Sequence, residues 1–257
     1  MDQHNAFRDT IENGGSVLGA RCATFEPTVI ELYGELGLDW VWLDFEHTGP
    51  SPYDSTRFEE LTRAAEVGGI ELVVRIPSGR PPLIRKVLDA GVRNLLVPRI
   101  DTVAEVREAV EATRFVYDGN PGERGMSSGR SSAWGHATDY TATEDREVCL
   151  GVMIEKTTAI SNLDEILSVP GLGFVFVGPA DLSVQMGHPG ELAVQEQIRE
   201  VFETSRAAGV PVGRIAHDPD EAGRAIRDGY QIVRIGGELE SMQAELGTRL
   251  DQVRDRA

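Results

Sequence analysis

Eight times along a chain of 257 residues, a short apolar run rich in valine, isoleucine and leucine gives way to a longer amphipathic stretch. This alternation constrains the fold more than any other feature, because apolar runs joined by helices are how a parallel sheet is built. The pattern predicts strands at 17–22, 40–44, 71–75, 93–98, 149–154, 173–177, 211–215 and 231–235. Helices are predicted at 28–36, 57–67, 82–90, 103–113, 159–167, 181–186, 194–208, 220–228 and 238–253, several closed by glycines such as Gly37, Gly69 and Gly91. Eight such units, a length near that of a typical (β/α)8 barrel and no break in composition point to one α/β domain over residues 1–257. An open doubly wound sheet would want a GxGxxG turn after the first strand, but Gly14-Gly15 precede it and no Walker-type loop is present.

The segment 39–49, DWVWLDFEHTG, is where this scaffold first shows chemistry. Trp40 to Leu43 read as a strand buried on both faces, and the run ends abruptly in Asp44, Glu46 and His47. Charged groups at a strand's C-terminal end sit where α/β barrels build active sites. The plainer alternative makes Asp44 and Glu46 helix caps and His47 a surface residue.

All eight strand ends face one shared mouth, so their residues can be collected. Strand one offers Arg21 and strand three Arg75; strand five offers Glu155, strand six the turn Gly178-Pro179-Ala180-Asp181, and strand seven His217. Two carboxylates, Glu155 and Asp181, with no cysteine and no clustered histidines make an oxygen-rich site suited to Mg2+ or Mn2+. Arg75 would bind keto-acid oxygens, and the backbone of Gly178–Asp181 would take a carboxylate. A metal chelated by pyruvate would stabilise an enolate, and His47, an imidazole that titrates near neutrality, would move the proton of a partner hydroxyl. The chemistry implied is reversible carbon–carbon cleavage. Between strands four and five a polar, glycine-rich excursion at 115–146 lies on the same face and is long enough to be functional.

Composition removes other classes. There are 42 acidic residues against 25 basic, a net charge of −17, and lysine occurs only at Lys86 and Lys156. That balance argues against nucleic acid and membrane surfaces as partners and resembles proteins of high-salt cytoplasms. Two cysteines without metal spacing suggest a reducing compartment. The polar N-terminus has no leader-like apolar stretch, and no segment is apolar enough to span a bilayer, so a cytoplasmic enzyme is expected.

The motifs Leu43-Asp-Phe-Glu-His47, Val74-Arg-Ile-Pro77, Val87-Leu-Asp-Ala-Gly91, Leu96-Val-Pro98, Met153-Ile-Glu155 and Val177-Gly-Pro-Ala-Asp-Leu-Ser183, followed by Met186-Gly187, occur in an order that resembles the HpcH/HpaI aldolase family. The resemblance runs from about Gly19 to the last helix. Its members are class II pyruvate aldolases that cleave 4-hydroxy-2-keto acids such as 4-hydroxy-2-oxoheptanedioate or 2-dehydro-3-deoxyglucarate. It implies that Glu155 and Asp181 ligate a divalent metal (Mg2+, Mn2+ or Co2+), that Arg75 contacts the keto oxygen, and that Gly178, Pro179, Ala180 and Asp181 hold the carboxylate. It also implies that His47 pairs with Asp89 as a proton-moving dyad. Asp44, Glu46 and Arg124 would support this site from behind. No organic cofactor is implied. A homo-oligomer, hexamer or trimer, is expected, with the last helix packed onto a neighbouring subunit.

Two positions depart from the family. Met153 stands where several members carry glutamine, and a thioether cannot supply that hydrogen bond. Lys156 follows the metal glutamate and raises a Schiff-base alternative, although alternation along the strand points it away if Glu155 points inward. Rival functions are a citramalyl- or malyl-CoA-type lyase of the same superfamily, for which no basic cluster awaits the nucleotide phosphates, and a non-catalytic metal-binding barrel, which would need neither Arg75 nor a His47–Asp89 pair.

Overall fold

The structure, a computed structural model, describes residues 4–116 and 121–256. Its centre is a closed barrel of eight parallel strands in sequential order: β1 (Val17–Arg21), β2 (Trp40–Asp44), β3 (Glu71–Arg75), β4 (Asn94–Val97), β5 (Cys149–Ile154), β6 (Leu172–Val177), β7 (Val212–Ile215) and β8 (Ile232–Gly237), with β8 pairing back to β1. The barrel expectation is met, and each expected strand is found to within two residues.

Side chains alternate between two layers, as the strand repeat of two requires. Val41, Leu43, Val74, Leu95, Val152 and Val175 pack outward against the helices. Val17, Trp40, Trp42, Val73, Leu96, Phe174, Phe176 and Ile232 fill the bore. Large rings fit because glycines face them: a Cβ on Gly19 would lie 2.3 Å from the Trp40 indole, one on Gly151 2.3 Å from the Phe174 ring, and one on Gly213 2.2 Å from the Phe176 ring. The interior is therefore a packed core rather than a pore.

Twelve helices surround the described barrel. α1 (Ala6–Glu12) precedes it. α2 (Pro27–Glu35), α3 (Ser55–Gly68), α4 (Pro81–Asp89) and α5 (Val103–Thr113) follow β1 to β4. α6 (Tyr140–Glu147) leads into β5, α7 (Thr157–Ser161) and α8 (Leu163–Leu167) follow it, and α9 (Pro179–Gln185) and α10 (Glu191–Ala207) follow β6. α11 (Pro219–Asp228) and α12 (Glu238–Arg254) complete the chain. Among the described residues no helix is long and apolar enough to cross a membrane.

Three features differ from expectation. The polar N-terminus forms α1, whose Phe7 and Ile11, one turn apart, close the bore from below; Phe7 meets Trp40 and Phe174 edge-on at 6.0 and 5.6 Å. Asn5 anchors it, donating from Nδ2 to Asn94 Oδ1 and to the Glu147 carbonyl, both at 2.7 Å. The helix expected at 159–167 is two short helices meeting at Asn162. The excursion at 115–146 is not loop throughout: a 3-10 turn (Arg130–Gly135) and α6 occupy its second half, while residues 117–120 lie outside the described set.

Candidate active site

The upper end of the bore continues the inward alternation, but with polar groups. Two residues above Trp42 stands Asp44, two above Val73 stands Arg75, two above Met153 stands Glu155, and two above Ile232 stands Arg234. The parallel register sets Asp44 beside Arg75. Asp44 takes one edge of the guanidinium, its Oδ1 accepting from Nε at 3.0 Å and its Oδ2 from Nη2 at 2.6 Å. Arg75 Nη1 lies 3.0 Å from Glu46 Oε2 and 3.6 Å from the Met153 sulfur, and the guanidinium is 5.5 Å from the Trp42 ring centre. Burial opposes ionisation of Asp44, but the hydrogen bonds and charge of Arg75 outweigh it and hold the carboxyl below the ordinary range.

Asp44 also shapes the turn that presents His47, since its Oδ1 accepts from the backbone N–H of Glu46 and of His47 at 3.2 and 3.3 Å. The His47 ring, half exposed at the mouth, has its Nε2 3.5 Å from Glu46 Oε2. What Asp44 and Glu46 grip is Arg75 and the histidine turn.

Glu155, directly after β5, is almost fully buried. Its Oε1 accepts from the backbone N–H of Arg99 at 2.7 Å, and Arg99 adopts a left-handed conformation (φ 58°) to present that group. Oε2 is buried without a hydrogen-bond partner. Burial and the nearby Glu46 and Asp181 carboxylates push the Glu155 carboxyl upward. Gly178 lies over it; a Cβ there would come 2.8 Å from Glu155 Oε2. Three residues on, in the first turn of α9, Asp181 lines, with Gly178, the cavity at the barrel mouth. Burying like charges is costly unless a cation is shared between them. The orphaned Oε2 and the all-oxygen donor set fit a hard divalent ion that takes waters and substrate oxygens as its remaining ligands. Among the described residues no group of three or more His, Cys, Asp or Glu side chains is arranged as a complete protein-only metal site.

The cavity over these residues has a volume of about 640 Å3. Its lining includes Trp42, Asp44, His47, Arg75, Met153, the Gly178–Asp181 turn and, beyond the expected set, Arg234 and His188. Arg21 and His217, noted at their strand ends, line it too. Arg234 was open to discovery from the sequence, since an arginine two residues after an inward Ile232 must also face the bore.

Two expected members are not brought to the mouth within one chain. Helices of the barrel run antiparallel to the strands, so Asp89, the last residue of α4, lies at the opposite end from His47. The charges that act on it are Arg124, Lys86, Arg85 and Glu144; burial, the largest influence, raises its carboxyl, and its Oδ1 is buried without a hydrogen-bond partner. Arg124 also sits at that end. Its Nη2 donates to Glu144 Oε2 at 3.0 Å and to the Tyr140 hydroxyl at 3.2 Å, and Glu144 in turn holds Arg93 just before β4. Arg124 thus pins the excursion to the end of the barrel opposite the mouth; because the excursion follows α5 rather than β4 directly, it does not lie on the catalytic face as expected, and Arg124 does not support the metal residues of its own chain. Lys156 pairs with Asp101 outside the cavity, as the alternation requires.

Comparison with known proteins gives a consistent result. The family model described as HpcH/HpaI aldolase/citrate lyase matches residues 22–244. The chain is 36% identical over 239 residues to a hydroxypyruvate/pyruvate aldolase of Cupriavidus necator, covering 92% of this chain and 87% of that one. It is 36% identical over 236 residues to a 2-keto-3-deoxy-L-rhamnonate aldolase of Escherichia coli strain 536, covering 90% and 86%. Among solved structures, an HpcH/HpaI aldolase/citrate lyase family protein from Burkholderia cenocepacia superposes with a TM-score of 0.90 at 29% identity, covering 97% of this chain and 99% of that one.

Proposed function

We propose that this chain, which belongs to the HpcH/HpaI aldolase/citrate lyase family and is a carbon–carbon lyase, is a divalent-metal-dependent aldolase that reversibly cleaves a 4-hydroxy-2-keto acid to pyruvate and an aldehyde. The observation that carries this reading is the orphaned, buried Glu155 Oε2 beside Asp181, facing an arginine held in place by Asp44 and Glu46. Glu155 and Asp181 would hold the metal, Mg2+ or Mn2+, which supplies Lewis-acid stabilisation of negative charge on the keto-acid oxygens.

The remaining work falls to the chain's own groups. Arg75 cannot swing, because three of its nitrogens are engaged, so it presents a fixed positive edge to the keto oxygen without reorganising. The Gly178–Asp181 turn borders the cavity and offers its backbone to the substrate carboxylate. His47, anchored through its own amide to Asp44, takes the proton from the C4 hydroxyl in cleavage and returns it in addition. Asp89 joins such a dyad only from a second copy, since the chain's own Asp89 is at the other end of the barrel.

A second copy is also what α12 calls for. None of its described residues is buried, and Leu239, Met242, Leu246, Leu250 and Val253 recur along it at helical spacing, all exposed. This supports a homo-oligomer in which the last helix packs onto a neighbour. The family model spans aldolases and citrate lyases, but the similar hydroxypyruvate/pyruvate and 2-keto-3-deoxy-L-rhamnonate aldolases favour the keto-acid aldolase over the CoA-type lyase and the non-catalytic barrel.

The test is pyruvate–aldehyde addition with and without EDTA, in parent and Lys156→Ala. Loss of rate on chelation, recovery with Mn2+, and an active Lys156→Ala support the reading. A rate that survives chelation but vanishes in Lys156→Ala overturns it.

A further inference from the structure

Lys156 is one of two lysines in the chain, and the proposed reaction leaves it without a chemical task. Its ammonium ends on a carboxylate oxygen of Asp101, in the turn between β4 and α5. Thr158 Oγ1 donates to the other oxygen of that carboxylate, and Asn162 Nδ2 donates to the Asp101 carbonyl at 2.8 Å. Every acceptor atom of Asp101 is thus taken by the segment that follows β5, while its N–H is held by Glu105 of its own helix at 2.9 Å.

These bonds stand where the sheet stops. The ladder between β4 and β5 ends at Val97 and Val152, three residues before Glu155, so strand pairing with β4 does not hold the glutamate in place. Two connections cross that gap: the Arg99 N–H to Glu155 Oε1 at 2.7 Å, and, two residues further on, the cluster around Asp101. The Arg99 side chain is exposed and does not line the cavity; what reaches the site is its amide. Its left-handed backbone (φ 58°) is unfavourable for a residue with a Cβ and persists where the surroundings impose it. The bonds on Asp101 are what impose it here. With Oε1 engaged in this way, Oε2 is the oxygen of Glu155 left without a partner.

Resting on the aldolase reading, we propose that the turn after β4 is a clip for the metal glutamate: the Arg99 amide fixes Glu155 through Oε1 and leaves Oε2 as the ligand atom, while the Lys156–Asp101 pair locks that turn to the end of β5. Arg99, Asp101 and Lys156 are therefore positioning residues. None of them lines the cavity, and each acts on the cation through Glu155. Alternation along the strand makes this possible, because consecutive residues point to opposite sides. Glu155 faces the mouth, and Lys156 faces the neighbouring turn. The departure from the family at Lys156 thus has a use as a locking cation rather than as a Schiff-base amine.

The test titrates metal-stripped protein with Mn2+ and reads free Mn2+ by electron paramagnetic resonance, with no substrate and no turnover. Lys156→Met should bind Mn2+ about 10- to 100-fold more weakly than the parent, the range for groups that orient a metal ligand. Lys156→Arg, which keeps the cation, should recover most of that loss. Arg99→Gly keeps the N–H and suits a left-handed turn, so it should bind as the parent does; Arg99→Val, whose branched side chain opposes that turn, should bind more weakly. Arg130→Met, which breaks the ion pair with Glu66 away from the mouth, should lower the melting temperature without moving the Mn2+ constant. Unchanged Mn2+ binding in both Lys156→Met and Arg99→Val overturns the clip. Equal loss in Arg99→Gly and Arg99→Val overturns the part given to the amide, and a Lys156→Arg no better than Lys156→Met overturns the part given to the ion pair. The lysine variants carry the test alone if Arg99→Val does not fold. A parent that binds no Mn2+, or a Lys156→Met that stays inactive at saturating Mn2+, would instead overturn the aldolase reading, so the two failures are distinct.

Discussion

Asp44 and Arg75 meet at two points, 3.0 and 2.6 Å, with both side chains buried at the end of adjacent parallel strands. A fork held this way has its direction set before substrate arrives. Asp44→Asn leaves the guanidinium with one acidic partner, Glu46, and a mismatched amide. Stability should fall by roughly 3 kcal/mol, the cost typical of breaking a buried pair, and the KM for pyruvate should rise. Because Arg75 holds the Asp44 carboxyl below its ordinary range, its contribution is complete above the unfolded-state pKa and is lost as pH falls through the folded-state value. Melting curves of parent and variant should therefore converge in acid and separate near neutrality.

His47 touches no group assigned to the metal, and its ring contact is with Glu46. His47→Ala should lower aldol turnover by about 10²- to 10⁴-fold, the usual contribution of a positioned proton carrier. Mn2+ binding by calorimetry should stay near the parent value. Loss of Mn2+ affinity would place the histidine among the ligands.

Glu71 gives the opposite pH response to Asp44. Burial raises its carboxyl, against the Ala6 amide at 3.1 Å and the Arg93 charge, so the folded protein keeps this proton to a higher pH than the unfolded chain. The stability tied to this group falls as pH rises from the unfolded-state value through the folded one. Glu71→Gln should melt level with the parent near pH 4 and above it at pH 7. A variant less stable at pH 7 would show that the charged form is the one the fold requires.

The exposed stripe of α12 makes a prediction about assembly. The pair Leu246→Glu and Leu250→Glu places charge on that stripe without touching the barrel, since neither residue is buried. Sedimentation should show a smaller species than the parent. If proton movement at His47 draws on Asp89 of another copy, turnover should fall with the mass.

How far the sequence could be read follows from which side chains fill each element. The strands were legible because their apolar runs are buried on both faces. α6 was not, because its buried residues, Tyr140, Thr143, Glu144, Asp145 and Glu147, are all polar, the carboxylates satisfied by ion pairs and amides, a pattern that hydrophobic periodicity cannot detect. α1 is too short for a period to show, with Phe7 and Ile11 its only buried residues. At the site, Glu155, Arg75, Asp181 and His47 follow from strand ends. The role of Arg99 does not, because what it contributes is a backbone N–H in a left-handed turn and not a side chain. Asp89 fitted the motif pattern, but helix direction separates it from His47 in one chain.

The floor supplied by α1 ties the chain's opening residues to its catalytic end. Phe7 supports Trp40 and Phe174; Trp40 lies 6.1 Å from Trp42, Trp42 lies 4.9 Å from Phe176, and Arg75 rests over Trp42. An aromatic column thus runs the height of the bore, from a helix with no chemical group in the reaction to the arginine at its top. A chain shortened to begin after Glu12 would retain every residue of the mouth and lose the base on which that column stands.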